Sequence, residues 1–560
     1  MSEFPDNPIP VLAFGKSFHG ETIVIQSKDF VITPNLTDFC RYHGLNITRK
    51  NGSTILSSLT IETDCQGNDY IYAGKAFSEN YGLVIGSNDI GRLGLNVNEL
   101  KENCGEYHLV TLDDDGIQVR GDWFGYQPLF HYNANWGGAV STSYHLMLLV
   151  LKVIGEELRV DIPHALEILK EKWTFTSALS VELENCRCNR TYEYFVISNA
   201  GITVRTTSAY EDLHLDGPYS ASIYEQCIHQ AKEDILGHVK MVFEHPAFDS
   251  VVVDLSGGLD TRLVYAACSV LPDSLIRPKI RISTRGSGTP NDMEVATLVN
   301  SIYGYPYFQD PSDCALLPTF SDYGDMLFAN NISKSLGTYK DWGSSALVDS
   351  YYVANTASIY GGCGDLYHGF EMQHRKQIDD YTENRNRFHF RHPFRNAYPV
   401  LMSKAAAKIS QLYRRRHHHS EWKKVSIDIL TLLNPLLATV PFANPQIVEF
   451  LSDSEKVSKL YQFPNCSSMP AQVIERSNYV PFYKEISKPG EVIYDKSNIK
   501  LVYERLRNIS SDYDELVSEQ LGDLMTQTKP STVLFRWWSL YMVLEIIEGR
   551  GDFFAGVHKA

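Results

Sequence analysis

The residues best suited to chemistry lie in one run, Val251-Val-Val-Asp-Leu-Ser-Gly-Gly-Leu-Asp260-Thr261. A β-branched stretch, Ser250–Leu255, leads into two glycines, and a helical apolar pattern follows over Thr261–Val270. Lacking a Cβ, Gly257 and Gly258 let backbone N–H groups approach an anion closely. The helix that follows turns its positive end toward the same place. Ser256 and Thr261 add hydroxyl donors for phosphate oxygens. Asp260 repels phosphate and makes sense beside it only if a divalent cation bridges the two, Mg²⁺ with oxygen ligands being the natural choice. The common phosphate loop G-x-x-x-x-G-K-S/T does not occur in the chain.

Positioning such a turn requires a strand before it and a helix after it, and the surrounding pattern supplies both. Ser220–Phe243 has helical apolar spacing. Lys279–Ser283 reads as a strand, Asp292–Ile302 as a helix and Tyr307–Phe308 as a strand. Strands alternating with helices predict a parallel α/β sheet. The first 200 or so residues read differently. Short alternating runs at Pro10–Phe14, Glu21–Gln26, Tyr70–Ala73, Tyr107–Leu112, Gly116–Arg120 and Tyr194–Ile197 are separated by Gly, Asn and Asp, with helical stretches at Thr142–Ile154 and Pro163–Lys172. Thr206–Pro218 is polar and turn-rich, as a linker would be, and from Phe394 onward the pattern is mainly helical.

Composition bounds the partners. The 560 residues exceed the size of a single core. With 51 Lys+Arg against 67 Asp+Glu the net charge is −16, which argues against a general nucleic-acid binder. One segment departs from that average: residues 374–424 hold 13 Lys/Arg and 4 Asp/Glu. It reads either as a solvated face or as a contact surface for an acidic substrate, peptide or partner. The ten cysteines are scattered, with one C-x-C (Cys186, Cys188) and no C-x-x-C, as expected of reduced thiols without a structural zinc. Neither a secretory signal nor a run long enough to span a bilayer is seen, so the expectation is a cytoplasmic protein with no membrane partner.

The S-G-G-x-D-S/T loop resembles that of the PP-loop ATP pyrophosphatases, and the chain as a whole resembles the asparagine synthetase family, which includes β-lactam synthetases and lasso-peptide cyclases. Five stretches carry the resemblance. Arg120-Gly-Asp-Trp-Phe-Gly-Tyr-Gln-Pro-Leu-Phe-His-Tyr132, followed by Val140-Ser-Thr-Ser, is similar to the family's R-D-x-F-G-x-x-P-L-Y-Y hairpin. The SGGLDT loop is the second, and Thr289-Pro-Asn-Asp292 leading into a helix is the third. Val440-Pro-Phe-Ala-Asn-Pro-Gln-Ile-Val-Glu-Phe450 is similar to V-P-F-L-D-x-x-L-V-E-F. Ile359-Tyr-Gly-Gly-Cys-Gly-Asp-Leu-Tyr-His-Gly-Phe370 resembles the second phosphate loop, S-G-E-G-S-D-E.

The resemblance implies a degenerate Ntn-like αββα sandwich over residues 1–205 and a linker at 206–218. Residues 219–560 would form a PP-loop (adenine nucleotide α-hydrolase-like) parallel-sheet domain with a helical C-terminal extension. It implies ATP and Mg²⁺ as cofactors. Leu255, Ser256, Gly257, Gly258, Asp260, Thr261, Ser283, Gly361 and Gly364 would line the nucleotide, and Asp260 and Asp365 would hold the metal. A lysine near the α-phosphate is implied as well; the candidates are Lys484, Lys488 and Lys496, with Lys488, in a Ser-Lys-Pro-Gly turn, favoured.

Two departures bear on the reaction. Active asparagine synthetases carry a nucleophilic cysteine directly after the initiator Met. Here Ser2 stands in that place, the first cysteine is Cys40, and the glutamine-binding signatures R-G-P-D and N-G-E-I-Y-N are absent. Glutaminase activity is therefore not expected. Gly362 occupies the position of the family's general base, Glu or Tyr, leaving Tyr360, Tyr367 and Glu371 as candidates.

The expected activity is that of an AMP-forming carboxylate–amine ligase. It adenylates a small-molecule or peptide carboxylate, releases pyrophosphate and couples the acyl group to an amine donor, intramolecular or on a second molecule. The alternatives are amidation of a small acid or uronate by ammonia, and a non-catalytic nucleotide-binding scaffold. RNA thiolation is disfavoured by the charge and the missing cysteine pair. A homodimer and a partner protein of a biosynthetic pathway are both compatible with this reading.

Overall fold

The computed structural model describes residues 20–27, 30–114, 116–170, 181–213, 220–284, 292–308, 355–362, 364, 397–414, 424–440, 442–443, 496–526 and 532–549. The expected strand at Pro10–Phe14 lies outside them.

Among the described residues, thirteen strands of the N-terminal part form two antiparallel sheets. The first contains β1 (Thr22–Gln26), β2 (Asn46–Lys50), β3 (Ser53–Ser57), β9 (Phe130–Ala134), β10 (Gly137–Ser141) and β11 (Cys186–Cys188), in the order β11-β9-β10-β1-β3-β2. The second contains β4 (Glu62–Thr63), β5 (Asp69–Ser78), β6 (Gly82–Ile85), β7 (Cys104–Asp113), β8 (Gly116–Gly121), β12 (Glu193–Ser198) and β13 (Gly201–Thr206). Its order is β13-β12-β8-β7-β5-β4, with β6 also on β5. The sheets stack through Val24, Ile55, Val110, Val119, Val140 and Phe195, which share one core.

Alternation along each strand then decides what lies outside that core. In β1, Val24 points into the sandwich while Ile23 and Ile25 point out, beneath α1 (Pro34–His43) and α3 (Tyr144–Val153). In β7, Val110 and Leu112 point inward, whereas Tyr107 and Leu109 pack outward with Ile90 of α2 (Gly86–Leu93). Every residue of β1 is buried because both faces are covered, so the strand reads as apolar and β-branched. α1 starts at Thr33, whose hydroxyl accepts from the Leu36 N–H at 3.2 Å, and ends at Gly44 in the left-handed region (φ 67°).

The remaining N-terminal helices are α4 (Ile162–Lys170) and α5 (Ala209–Leu213). The latter falls inside the stretch expected to be a plain linker. Ala209 is fully buried there and Ser208 accepts the Trp123 indole N–H at 3.2 Å, while Tyr210 and Glu211 are exposed. Helix α6 (Ala221–Glu244), N-capped by Ser220, then enters the α/β part.

Four parallel strands follow: β14 (Ser250–Asp254), β15 (Ile280–Ser283), β16 (Thr356–Ile359) and β17 (Ala397–Tyr398), in the order β15-β14-β16-β17. Tyr307 extends the β15 side by a parallel bridge to Ile282. Helices α7 (Leu259–Val270), α8 (Asp273–Ile276), α9 (Asp292–Tyr303), α10 (Lys404–Arg414), α11 (Lys424–Leu433) and α12 (Pro435–Ala438) accompany this sheet. The mixed α/β character expected from the sequence is thus present, with antiparallel sheets first and a parallel sheet after them.

The two parts are bolted together through buried polar contacts. His245, just past α6, meets Asp89 of α2 at 3.0 Å, both side chains nearly inaccessible. Burial raises the Asp89 carboxyl pKa, but the Ile85 N–H, Arg92 and His245 outweigh it and hold the group below its ordinary value. Lys75 pairs with Glu106 at 2.9 Å and lies 4.6 Å over the Tyr398 ring.

The last three helices, α13 (Lys496–Arg507), α14 (Ser511–Thr526) and α15 (Thr532–Ile547), pack on the N-terminal sandwich. Val502, Leu506, Trp537 and Val543 share one core with Leu148 and Leu151 of α3. The Lys152 ammonium donates to the Ile547 carbonyl at 2.6 Å, Tyr513 OH to the Ile162 carbonyl at 2.9 Å, and Gln520 to the Leu169 carbonyl at 3.0 Å. Sequence position alone groups these helices with the α/β part; their apolar faces belong to the other. Among the described residues no helix is long and apolar enough to cross a membrane.

This shared core makes a prediction. Trp537 is fully buried and donates to Gln520 at 2.8 Å, so Trp537→Ala should cost about 3–5 kcal/mol in the region it joins. Amide exchange in α3, at Leu148–Leu151, should accelerate together with that in α15. Unchanged α3 protection would show that the helices merely lean on the sandwich.

Candidate functional site

Parallel pairing decides where the two glycine-rich loops meet. β14 and β16 are neighbours in register, Val253 opposite Ile359, and β15 lies on the other side with Ser283 opposite Asp254. Their chains therefore leave the sheet at one edge, where ligands of open α/β sheets bind. Leu255, Ser256, Gly257, Gly258, Asp260, Thr261, Ser283, Tyr360, Gly361 and Gly364 are gathered at that edge. The Leu255 N–H donates to the Ser283 carbonyl at 2.8 Å. Gly361 and Gly364 press on Asp260. A Cβ on Gly361 would stand 2.8 Å from the Asp260 Cβ, and one on Gly364 would stand 2.3 Å from the Asp260 Cγ. Only glycine tolerates either approach. Half-buried Tyr360 directly follows the last residue of β16.

The first loop satisfies several of its own donors. The Ser256 N–H donates to the Thr261 hydroxyl at 3.0 Å, and the Ser256 and Thr261 hydroxyls are 2.9 Å apart. The Gly258 N–H donates to the Ser256 hydroxyl at 3.1 Å. The Gly257 N–H donates to Asp292 Oδ1 at 2.6 Å, while its carbonyl accepts from the Ala443 N–H at 3.0 Å. The Gly257 and Gly258 N–H groups are thus both held within the protein. The start of α7 adjoins this turn, with Gly361 against Asp260. Its N-cap is Gly258, which has no side chain to cap the first turn, whereas Thr33, Ser143 and Ser220 supply capping hydroxyls to α1, α3 and α6. An anion there would meet the first-turn N–H groups together with the Ser256–Thr261 hydroxyl pair.

Two residues that the sequence reading did not single out as site residues brace this loop. Asp292, the first residue of α9, is nearly inaccessible and receives the Gly257 N–H. Arg262 is fully buried one residue past Thr261. Its Nη1 donates to the Val440 carbonyl at 2.6 Å and the Leu437 carbonyl at 3.4 Å, and its guanidinium carbon lies 3.8 Å from the Phe442 ring centroid. Burial lowers the guanidinium pKa to about 9, which leaves it charged at neutral pH. Asp292 and Ala443, each from another motif stretch, therefore both meet the SGGLDT loop at Gly257. The signal missed was an arginine inside an otherwise apolar helix face, LVYAAC, where a charge has no business without acceptors.

The hairpin stretch serves the junction instead. Asp122 is buried and accepts N–H groups from Phe124 at 3.0 Å, Tyr126 at 3.2 Å and Gln127 at 3.2 Å, which shapes the turn. Desolvation nevertheless raises its carboxyl to about 7, against the pull of the Tyr126 and Gln127 donors. Trp123, Phe124 and Tyr126 share a core with α6, α7 and β14.

Lys484, Lys488 and Asp365 lie outside the described residues, as do Tyr367, Glu371 and most of the basic segment 374–424. Lys496 opens α13 and is exposed. Three lysines of that segment have local partners. Lys404 donates to the Glu102 carbonyl and sits 5.7 Å over the Trp123 ring, Lys408 pairs with Asp212 at 3.3 Å, and Lys424 pairs with Asp428 at 2.6 Å. Among the described residues no group of three His, Cys, Asp or Glu side chains could hold a metal.

No protein-family model matches the chain, and no curated protein does. Among solved structures, the allosteric regulatory enzyme of purine biosynthesis is similar at 12% identity and a TM-score of 0.18, over 42% of this chain. This chain covers only 54% of that one. Glutamine phosphoribosylpyrophosphate amidotransferase from B. subtilis, complexed with ADP and GMP, is similar at 12% identity and a TM-score of 0.18, over 61% of this chain and 69% of that one. Likeness at this level carries no argument about fold or function.

Two predictions follow from the packing. A Cβ on Gly257 would meet Ala443 Cβ at 2.5 Å and Asp292 Oδ1 at 2.9 Å, so Gly257→Ala should destabilise by about 1–3 kcal/mol. Gly258→Ala, whose Cβ would have only the Ser256 hydroxyl at 3.2 Å, should be the milder change in the same denaturation experiment.

For Asp122 the native carboxyl titrates near 7 and the unfolded one near ~3.9. Between those values the folded state holds a proton that the unfolded chain has released, so the Asp122 contribution to stability falls as pH rises through the window. Asp122→Asn does not titrate and should flatten that slope in urea unfolding between about pH 4.5 and about pH 7.5. Parallel slopes for the two proteins would refute the assignment.

Proposed function

We propose that the chain is an ATP-dependent carboxylate–amine ligase of the AMP-forming type, with its nucleotide site at the edge where the β14 and β16 loops meet. The observation that supports this reading most is the contact of Gly361 and Gly364 with Asp260, which joins two glycine-rich loops from adjacent parallel strands over the uncapped start of α7.

In this reading a substrate carboxylate oxygen attacks the α-phosphorus of ATP, the bond to the bridging oxygen breaks, and pyrophosphate leaves. An amine nitrogen then attacks the acyl carbon, loses a proton, and expels AMP as the amide forms. The chain's own task is to orient phosphates with the Ser256 and Thr261 hydroxyls and the first-turn N–H groups, and to hold the site rigid through Asp292. Asp260, with Asp365, would hold Mg²⁺, which when bound neutralises charge on the leaving pyrophosphate. Mg²⁺ needs only one or two protein carboxylates beside phosphate oxygens, and Asp260 is suitably placed at the loop contact. Lys484 or Lys488 would supply the cation at the α-phosphate, and Tyr360 is the described candidate for general base. An amine substrate or free ammonia supplies the nitrogen. Cys40, the first cysteine, is buried in α1 with its thiol raised to about 12 by desolvation, which suits packing and not nucleophilic attack. Amidation of a small acid or uronate by ammonia differs only in the second substrate.

Gly362 favours a second reading, a nucleotide-binding scaffold, because it offers no side chain where the resembled family carries its base. ATP–pyrophosphate exchange across a panel of carboxylic acids separates the two. Exchange that depends on one acid and falls by on the order of 10³ or more in Asp260→Ala is expected for the ligase. ATP binding without exchange for any acid would establish the scaffold, and ADP in place of AMP as product would overturn the adenylation chemistry.

A further inference from the structure

We propose that Arg262 is a positioning residue: it fixes residues 437–440, 442 and 443 against the Gly257 turn, so that the shape of the loop depends on a side chain that does not itself face the loop's outer edge.

A guanidinium with no solvent access is costly unless its donors and its planar face are matched. Described groups that meet it, the carbonyls of Leu437 and Val440 and the ring of Phe442, belong to one short stretch of chain. Leu437 and Val440 flank the end of α12, where helix carbonyls lack intrahelical partners, so the arginine supplies donors that these carbonyls need. The next residue, Ala443, is the one whose N–H reaches the Gly257 carbonyl, and its Cβ is the nearest obstacle to any side chain at 257. The chain thus runs from Arg262 through Val440 and Phe442 to Ala443, and from Ala443 back to Gly257, five residues before Arg262 itself. This closed circuit, with Asp292 gripping the Gly257 N–H from α9, leaves the turn one arrangement. Lysine cannot reproduce it, because an ammonium is a point donor with no face to lay on Phe442.

The circuit stands on contacts within the protein. Its effect on catalysis rests on the nucleotide reading above, and the test keeps the two apart. The full chain and the variants Arg262→Met, Arg262→Lys and Phe442→Leu are compared by amide hydrogen exchange without nucleotide. In Arg262→Met the Ala443 amide should exchange faster by on the order of tenfold, while Val252 and Val253 in β14 keep their protection. Arg262→Lys and Phe442→Leu should fall between, and they carry the test if the methionine variant does not fold. Unchanged exchange at Ala443, or equal loosening throughout β14, overturns the proposal. The same proteins are then assayed by ATP–pyrophosphate exchange. A rise in KM for ATP of on the order of tenfold, with kcat changed much less and partly recovered in Arg262→Lys, is the expected split for a residue that shapes the binding loop. If the unaltered protein neither binds ATP nor exchanges pyrophosphate, the ligase reading fails, and the exchange at Ala443 still decides the role of Arg262.

Discussion

The parallel register of β14 with β16 is the constraint on which the candidate site depends. Val253 opposite Ile359 forces both chains to leave the sheet on the same side. Two loops that lie about a hundred residues apart in sequence then have no choice but to meet. The meeting is close, since Asp260 fills the space where a Cβ on Gly361 or Gly364 would be. Glycine at these positions is a packing requirement before it is a ligand requirement. The same holds for Gly257, which Ala443 and Asp292 hold from two sides.

A second constraint acts between the sandwich and the parallel sheet. The contacts there are not a thin polar film. Trp123, Phe124 and Tyr126 enter the same core as Val251 and Val264, and the His245–Asp89 and Lys75–Glu106 pairs are sealed beside them. Buried ion pairs add little net stability, but breaking one partner leaves an uncompensated charge, so they resist rearrangement. The α13–α15 bundle closes the molecule from the other side by covering α3 and α4. The N-terminal sandwich is therefore gripped on two faces by later parts of the chain.

Much of the local structure could be read directly. Ser250–Leu255 and Thr261–Val270 were legible as strand and helix because β-branched residues, a double glycine and a 3.6-residue apolar period occur in sequence with nothing between them. Tyr107–Leu112 and Gly116–Arg120 were legible for the matching reason of alternation. The strand Ser53–Ser57 escaped notice. All its residues are buried, and the hydroxyl of Ser57 meets that of Thr22, a tertiary contact that no local pattern announces. The polar composition of Thr206–Pro218 did not announce the short helix Ala209–Leu213, anchored by buried Ala209.

The sequence by itself determined the residue types that can meet phosphate, the double glycine, the flanking Ser256 and Thr261, and the order of strand, turn and helix. These are short-range properties, settled by sterics and periodicity within a dozen residues. Tertiary structure alone decided that Asp292 would take the Gly257 N–H, that Arg262 would be buried against Val440 and Phe442, and that residues 496–549 would pack on the sandwich that precedes them by several hundred residues. Each of those outcomes depends on where a distant carbonyl, carboxylate or apolar face comes to lie. No local propensity encodes that position; only the closure of the whole chain into register supplies it.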